Sequence, residues 1–164
     1  GGLGTRLAGE LGGKPKLLAP IAGTPYLDLA LNWLISFGVQ RVILALGHLG
    51  REVEQYVGSN LISGIEIICS IEPDPLGTAG GLAFVSSYIE SDTVLVMNGD
   101  IFVDADLCAL LENHQARSVE ATILCTSVPN VGRYGMVEIE GGDTALVGAI
   151  EVDEVILHVV RIFR

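Results

Sequence analysis

The chain opens with a glycine-rich loop of a kind that binds phosphate groups. In GGLGTRL (residues 1–7) the glycines let the backbone approach a ligand closely and offer N–H donors. These glycines are Gly1, Gly2 and Gly4. Arg6 adds a planar guanidinium whose donors match the oxygens of a phosphate. The loop therefore predicts an anion-binding site.

Charge is concentrated beside this loop. The net charge is −11, yet Lys14, Lys16 and Arg6 all lie among the first sixteen residues of a chain with nine lysines and arginines. A local cationic group in an acidic chain favours a small anionic ligand, and the acidic total argues against a nucleic-acid surface.

Two familiar phosphate loops do not fit the sequence. A dinucleotide-binding GxGxxG needs a third glycine where Leu7 stands. A Walker loop ending at Lys14 needs glycine at Ala8 and serine or threonine at Pro15. The opening loop must therefore bind its anion in another way.

Two further loops follow predicted strands. EPDPLGTAGG (residues 72–81) comes after the apolar run IEIICSI, and NGD (residues 98–100) comes after TVLVM. Ligands of open α/β sheets bind outside the carboxyl ends of the strands. We therefore expect these loops and the opening loop to lie at one edge of a sheet.

The elements that must position these loops alternate between strands and helices. RVILAL from Arg41 reads as a buried strand, and a stripe of leucines before it predicts a helix that starts at Thr24-Pro25 and stops at Gly38. GREVEQYVG predicts a helix closed by Gly58, and a later helix is expected to be capped by Asp104. The alternation predicts an α/β fold with a doubly wound, mostly parallel sheet. Near the C-terminus, Gly141-Gly142 predicts the turn of an antiparallel strand pair.

Composition is consistent with one globular catalytic domain over residues 1–164. The apolar runs are far shorter than the roughly 18 residues of a membrane span, so we expect a soluble, cytoplasmic protein with no membrane and no nucleic-acid partner. The three cysteines are expected to be buried thiols, and the three histidines to be loop or surface residues rather than metal ligands. Whether the chain forms a homo-oligomer is left open.

In matched order, these motifs resemble those of the sugar-1-phosphate nucleotidyltransferases, and most of all the guanylyltransferases that act on mannose- or heptose-1-phosphate. The resemblance rests on GGLGTRL, on the Pro15-Lys16 pair, and on the two later loops, and it continues through Arg133-Tyr134-Gly135. It implies a Rossmann-like fold and the condensation of a sugar 1-phosphate with a nucleoside triphosphate. The products would be a nucleotide-sugar and pyrophosphate.

The resemblance also implies roles for individual residues. Arg6 would hold the departing pyrophosphate, Lys16 the reacting phosphates, and Asp100 a Mg²⁺ ion. The nucleotide would further contact backbone and side chains in the first and second loops. These residues are Gly1, Gly2, Gly4, Thr5, Glu72, Pro75, Gly77 and Thr78.

Glu72 occupies the position that reads the nucleobase in related enzymes. An ionised carboxylate only accepts hydrogen bonds, and guanine offers two adjacent donors, N1–H and the 2-amino group. Thymine and uracil offer one donor between two carbonyls, which suits an amide better. Glu72 therefore favours GTP as the nucleotide.

The sugar is expected to contact Gly135 and Glu151, but the sequence departs from the family pattern here. Val152 stands where lysine is expected, and LHVVR (residues 157–161) replaces a segment with an asparagine and a glycine. We expect the domain to be incomplete, without its first strand and C-terminal part, and the 164-residue chain alone to be marginally stable and inactive.

Two other functions stay open on the sequence. One is a regulatory module that binds a nucleotide or nucleotide-sugar without turnover. The other is a glycosyltransferase, since Asp104-Ala105-Asp106 spells the Asp-x-Asp metal motif. That motif is expected to begin a helix, however, and Asp100 is better placed at the end of a strand.

Overall fold

The computed structural model describes residues 12–60, 62–102, 104–117 and 119–124 in full, and the backbone of 157–161. The chain divides into two compact units, Gly1–Glu90 and Ser91–Arg164. In chain order, the helices and strands are β1 (Pro20–Ile21), β2 (Thr24–Pro25), α1 (Tyr26–Ser36), β3 (Arg41–Leu46), α2 (Gly50–Ser59), β4 (Glu66–Ile71), α3 (Gly77–Val85), β5 (Thr93–Met97), α4 (Leu107–Arg117), β6 (Ala121–Leu124) and β7 (Leu157–Arg161). Short 3₁₀ helices cover Lys16–Leu18 and Ser86–Tyr88.

A parallel pair of strands, β3 and β4, runs through the first unit. Their register joins Arg41 to Glu66 at one end and Leu46 to Ile71 at the other. Both strands are mostly apolar, as expected of parallel strands that are covered by helices. The helix α2 connects them, which is the crossover that a parallel pair requires.

The core of the first unit lies between this pair and the helices α1 and α2. Its four buried members come from α1, β3 and α2: Leu27, Leu31, Leu46 and Val53. On the strands, Val42 and Leu44 pack against this cluster, together with Ile67, Cys69 and Ile71. The predicted leucine stripe of α1 is confirmed, because Leu27 and Leu31 are only 2% and 1% exposed.

The start of α1 differs from the prediction. Thr24 and Pro25 form β2 and pair with Ile21 and Pro20 of β1, so the helix begins at Tyr26. The two-residue turn between the strands has positive φ at both positions, 48° and 88°, which is the geometry of a tight hairpin. Pairing with β1 therefore takes the place of the expected threonine cap.

Helix ends depend on polar contacts that the sequence did not reveal. Gly58 lies inside α2 rather than closing it, and Asn60 ends the helix by donating its backbone and side-chain N–H groups to the Tyr56 carbonyl (3.0 and 2.8 Å). The cap of α4 is Asp106, not Asp104, because Asp106 Oδ1 accepts the Ala109 N–H at 3.1 Å. Gly38, with φ of 78°, follows the end of α1 as predicted.

In the second unit, β7 lies between β5 and β6 and is antiparallel to both. The register places Val94 opposite Val160 and Ala121 opposite Val160 on its other side. The expected antiparallel pair at Gly141-Gly142 lies outside the described residues.

Two side chains of α4 contradict the sequence expectations. His114 is buried, 3% exposed, and its Nδ1 lies 2.9 Å from Thr122 Oγ1 of β6. Cys108 is exposed, since the face of α4 that is buried carries Leu107 and His114 instead. Cys69 is half-buried in β4, and burial, with the nearby Glu54 charge, raises the pKa of its thiol.

Candidate active site

The carboxyl edge of the parallel pair positions the second predicted loop. Because Leu46 and Ile71 end their strands side by side, the segments that follow them leave the sheet next to one another. The Glu72 N–H donates to the Leu46 carbonyl at 2.7 Å and extends the pairing by one bond. The backbone of Glu72 is therefore fixed to the end of β3.

The Glu72 side chain is buried, with only 6% of the residue exposed. Its Oε2 accepts a hydrogen bond from the Leu76 N–H at 3.3 Å, across its own loop. Its Oε1 faces α3, where a Cβ on Gly81 would lie 2.7 Å away. Successive residues of a strand face opposite sides, and Ile71 packs into the core with α1 and α2. Glu72 accordingly faces the other side, toward α3.

The loop over this carboxylate is exposed from Pro73 to Ala79. It contains Pro75 and Thr78, two residues for which the sequence predicts a nucleotide contact, and it turns into α3 at Gly77, whose φ is 69°. The first backbone N–H groups of a helix have no partner within the helix and are available to a ligand. At this site the buried carboxylate can accept hydrogen bonds, and the backbone N–H groups at the exposed start of α3 can donate them.

Lys16 begins the 3₁₀ helix Lys16–Leu18 and is half-buried, while Lys14 is exposed. The turn is fixed by the Leu18 N–H, which donates to the Pro15 carbonyl at 2.9 Å. Leu17 and Leu18 pack against the core of the first unit. The backbone that carries Lys16 is thus anchored on both sides of the residue.

Asp100 belongs to the second unit and lies in the turn that follows β5. The turn is closed by the Ile101 N–H, which donates to the Asn98 carbonyl at 3.4 Å, and Asp100 is exposed. The chemistry of an exposed carboxylate fits Mg²⁺, which takes hard oxygen ligands, often one or two carboxylates with phosphate oxygens and water. Within the described part of the chain there is no group of three or more His, Cys, Asp or Glu residues that could hold an ion by themselves.

Several predicted site residues lie outside the described residues: Gly1, Gly2, Gly4, Thr5, Arg6, Gly135 and Glu151. Their roles remain predictions. The sequence did not indicate two features beside Glu72. One is the Leu76 backbone N–H, and the other is the missing side chain at Gly81, which lets the carboxylate lie against α3. The adjacent pair Gly80-Gly81 inside a helix was the available signal, since glycine weakens a helix unless close packing requires it.

Comparisons with known proteins identify the family. Residues 1–152 match the sequence model of the family described as Nucleotidyl transferase. The chain belongs to this family. Among curated relatives, it is 34% identical over 143 residues to the mannose-1-phosphate guanylyltransferase of Mycobacterium tuberculosis, covering 87% of this chain and 40% of that protein. It is also 34% identical over 137 residues to the D-glycero-alpha-D-manno-heptose 1-phosphate guanylyltransferase of Aneurinibacillus thermoaerophilus, covering 84% of this chain and 59% of the relative.

A solved structure shows the same fold. The chain is similar to HddC from Yersinia pseudotuberculosis, crystallised in complex with GMP-PN, with a TM-score of 0.76 and 26% sequence identity. The similarity covers 90% of this chain and 68% of HddC. The predicted α/β nucleotidyltransferase fold is therefore confirmed. The chain spans about 40% of the length of the Mycobacterium tuberculosis relative.

Among the helices that the structure describes, none is long and apolar enough to cross a membrane.

Proposed function

We propose that the protein to which this 164-residue chain belongs transfers a guanylyl group from GTP to a sugar 1-phosphate of the mannose or manno-heptose type. A phosphate oxygen of the sugar attacks the α-phosphorus of GTP, and the bond from that phosphorus to the bridging oxygen breaks. Pyrophosphate leaves with the electron pair, and GDP-sugar remains. No covalent intermediate with the protein is needed, so catalysis consists of positioning and charge neutralisation.

The guanine assignment is carried by one observation, the Glu72 carboxylate at the end of β4 in a chain similar to guanylyltransferases. A carboxylate can accept from N1–H and the 2-amino group of guanine together. Uracil and thymine cannot supply two adjacent donors.

Lys16 and Arg6 are proposed to hold the phosphates. Lys16 is half-buried on an anchored turn, so its ammonium can be held near one position rather than moving freely in water. Asp100 would hold Mg²⁺, which when bound neutralises negative charge on the phosphate oxygens. Gly135 and Glu151 are proposed to contact the sugar.

The test is release of pyrophosphate by the purified protein from GTP, UTP, dTTP or ATP, each with mannose 1-phosphate or a manno-heptose 1-phosphate and Mg²⁺. We expect GTP to be preferred. Glu72→Gln should reduce that preference, because an amide has one acceptor oxygen and places an NH₂ group against a guanine donor. Equal use of UTP or dTTP by the unmodified protein would contradict the guanine assignment.

Two further measurements, GTP binding and release of a nucleoside diphosphate, separate the two other functions. Binding of GTP without pyrophosphate release would indicate a regulatory module. Release of a nucleoside diphosphate from a nucleotide-sugar would indicate a glycosyltransferase. Asp106 of the Asp104-Ala105-Asp106 motif caps α4 through its Oδ1, so this motif begins a helix rather than ending a strand.

A further inference from the structure

The Glu72 carboxylate rests against α3 instead of standing in the exposed loop. The residue is 6% exposed, its Oε1 lies against Gly81 of α3, and its Oε2 accepts a hydrogen bond from the Leu76 N–H. A base that donates hydrogen bonds to both carboxylate oxygens needs both of them accessible, and burial against α3 prevents this. Binding therefore requires the carboxylate to leave its resting position.

Gly81 is the residue that makes the resting position available. A Cβ built there would lie 2.7 Å from Glu72 Oε1, closer than real Cβ atoms approach an oxygen. It would lie 4.0 Å from the Ala45 Cβ, which is ordinary contact, so β3 could accept it. The backbone of Gly81 is helical and not among the positive-φ glycines, so alanine suits its conformation.

The atom that would have to move is the far end of a flexible side chain. Because α3 and β3 lie on two sides of the space, a displaced carboxylate moves toward the exposed part of the loop, residues 73–79. This is the side of the carboxylate that is open to solvent. An added methyl group at position 81 would thus turn the carboxylate outward without a change of fold.

We propose that Gly81 is a positioning residue for nucleobase recognition: the space it leaves holds the Glu72 carboxylate back from the base, and filling that space tightens GTP binding. The inference rests on the proposed base-reading role of Glu72. When a binding-competent state is only partly populated, the affinity is reduced by that fraction. A competent fraction of roughly 10–30% gives an expected gain of about threefold to tenfold when the carboxylate is released.

The experiment measures Kd for GTP and UTP by calorimetry in the protein and in Gly81→Ala. Gly58→Ala is the matched control, because Gly58 also lies in a helix but has nothing within 4 Å of its Cβ position. Both substitutions raise helix propensity, so melting temperature should stay level or rise in each. We expect only Gly81→Ala to lower Kd for GTP, by about threefold to tenfold, with a smaller effect on UTP.

Two further variants connect the effect to Glu72. In a Glu72→Asp protein the carboxylate is shorter by one methylene and no longer reaches Gly81, so adding Gly81→Ala should change Kd for GTP little. In a Glu72→Gln protein, the gain should also disappear, because the carboxylate is gone. A purely structural role for Gly81 would give the same change in all three backgrounds.

Each remaining outcome decides against the proposal. Unchanged or weaker GTP binding in Gly81→Ala overturns it, and so does a lowered melting temperature, which would mean that the methyl group is not accommodated by the carboxylate. If Glu72→Gln leaves the GTP-to-UTP preference unchanged, the base-reading role fails first. If Glu72→Gln changes that preference and Gly81→Ala does not tighten GTP, the inference about Gly81 alone fails. Absence of GTP binding in every variant contradicts both.

Discussion

The hydroxyl of Tyr56 donates a hydrogen bond of 2.7 Å to Asp28 Oδ2, and so joins α2 to the first turn of α1. The other oxygen of this carboxylate, Asp28 Oδ1, is buried and has no hydrogen-bond partner. Tyr56 also packs against the core cluster of the first unit. The contact therefore fixes the two helices that cover one face of β3 and β4.

Removing this hydroxyl should destabilise the protein. Tyr56→Phe removes the hydroxyl that donates to Asp28 Oδ2. A hydrogen bond to a charged group contributes about 1.5–3 kcal/mol. We expect a loss of that size in the free energy of unfolding, measured by urea denaturation. Tyr88→Phe is the control, since Tyr88 is 42% exposed and its substitution should change stability by less than about 0.5 kcal/mol. Equal effects of the two substitutions would mean that the Asp28 contact contributes nothing.

The same contact predicts a pH dependence of stability. The hydrogen bond to Asp28, followed by burial, raises the pKa of Tyr56 from its ordinary value to about 12. A group whose pKa is raised by folding stabilises the fold fully below its unfolded pKa of 10 and loses that contribution as the pH rises toward 12. We expect the free energy of unfolding to fall between pH 10 and 12. The fall should be smaller in Tyr56→Phe, and an identical fall in both proteins would contradict the assignment.

The parallel strands could be predicted from the sequence because their pattern is local. RVILAL and IEIICSI are mostly apolar runs, and both form strands of the β3–β4 pair. The start of α1 could not be predicted in the same way. Thr24 and Pro25 have the residue types of a helix start, but pairing with β1 makes them a strand. Tertiary context decides between two local preferences here.

The position of Glu72 at the end of a strand could be predicted from the sequence, whereas the groups that surround its side chain could not. Burial of the carboxylate depends on α3 packing against β3, and the close approach of Gly81 depends on the same packing. His114 shows the same limit: nothing in the run LCALLENHQAR indicates that this side chain meets Thr122 of β6. Such contacts join elements whose relative placement is set by the whole unit.

Removal of the Asp100 carboxylate should abolish Mg²⁺-dependent turnover and leave the fold intact. Asp100 is exposed in a turn at the carboxyl end of β5, so alanine there removes no core packing. The matched control is Asp92→Ala, at the amino end of the same strand and also exposed. Both variants should melt at the temperature of the unmodified protein, and only Asp100→Ala should lose pyrophosphate release. Normal turnover of Asp100→Ala across a Mg²⁺ titration would show that the metal assignment is wrong.

The two lysines of the chain allow a paired test of the phosphate site. Lys16 is half-buried on the turn anchored by Leu17 and Leu18, whereas Lys14 is exposed two residues earlier. Removing a fixed charge that stabilises a transition state costs on the order of 10²-fold or more in kcat, which is about 2.7 kcal/mol. We therefore expect Lys16→Ala to lower kcat by about that factor, as should Arg6→Ala, while Lys14→Ala changes it less than about threefold. Lys16→Arg restores the charge but not the shape of the ammonium, so it should recover only part of the rate.

The measurement is steady-state pyrophosphate release at saturating GTP, with urea denaturation of each variant to separate stability from catalysis. A loss in Lys14→Ala as large as that in Lys16→Ala would indicate a diffuse effect of positive charge, and it would remove the case for Lys16 as the residue that contacts the reacting phosphates.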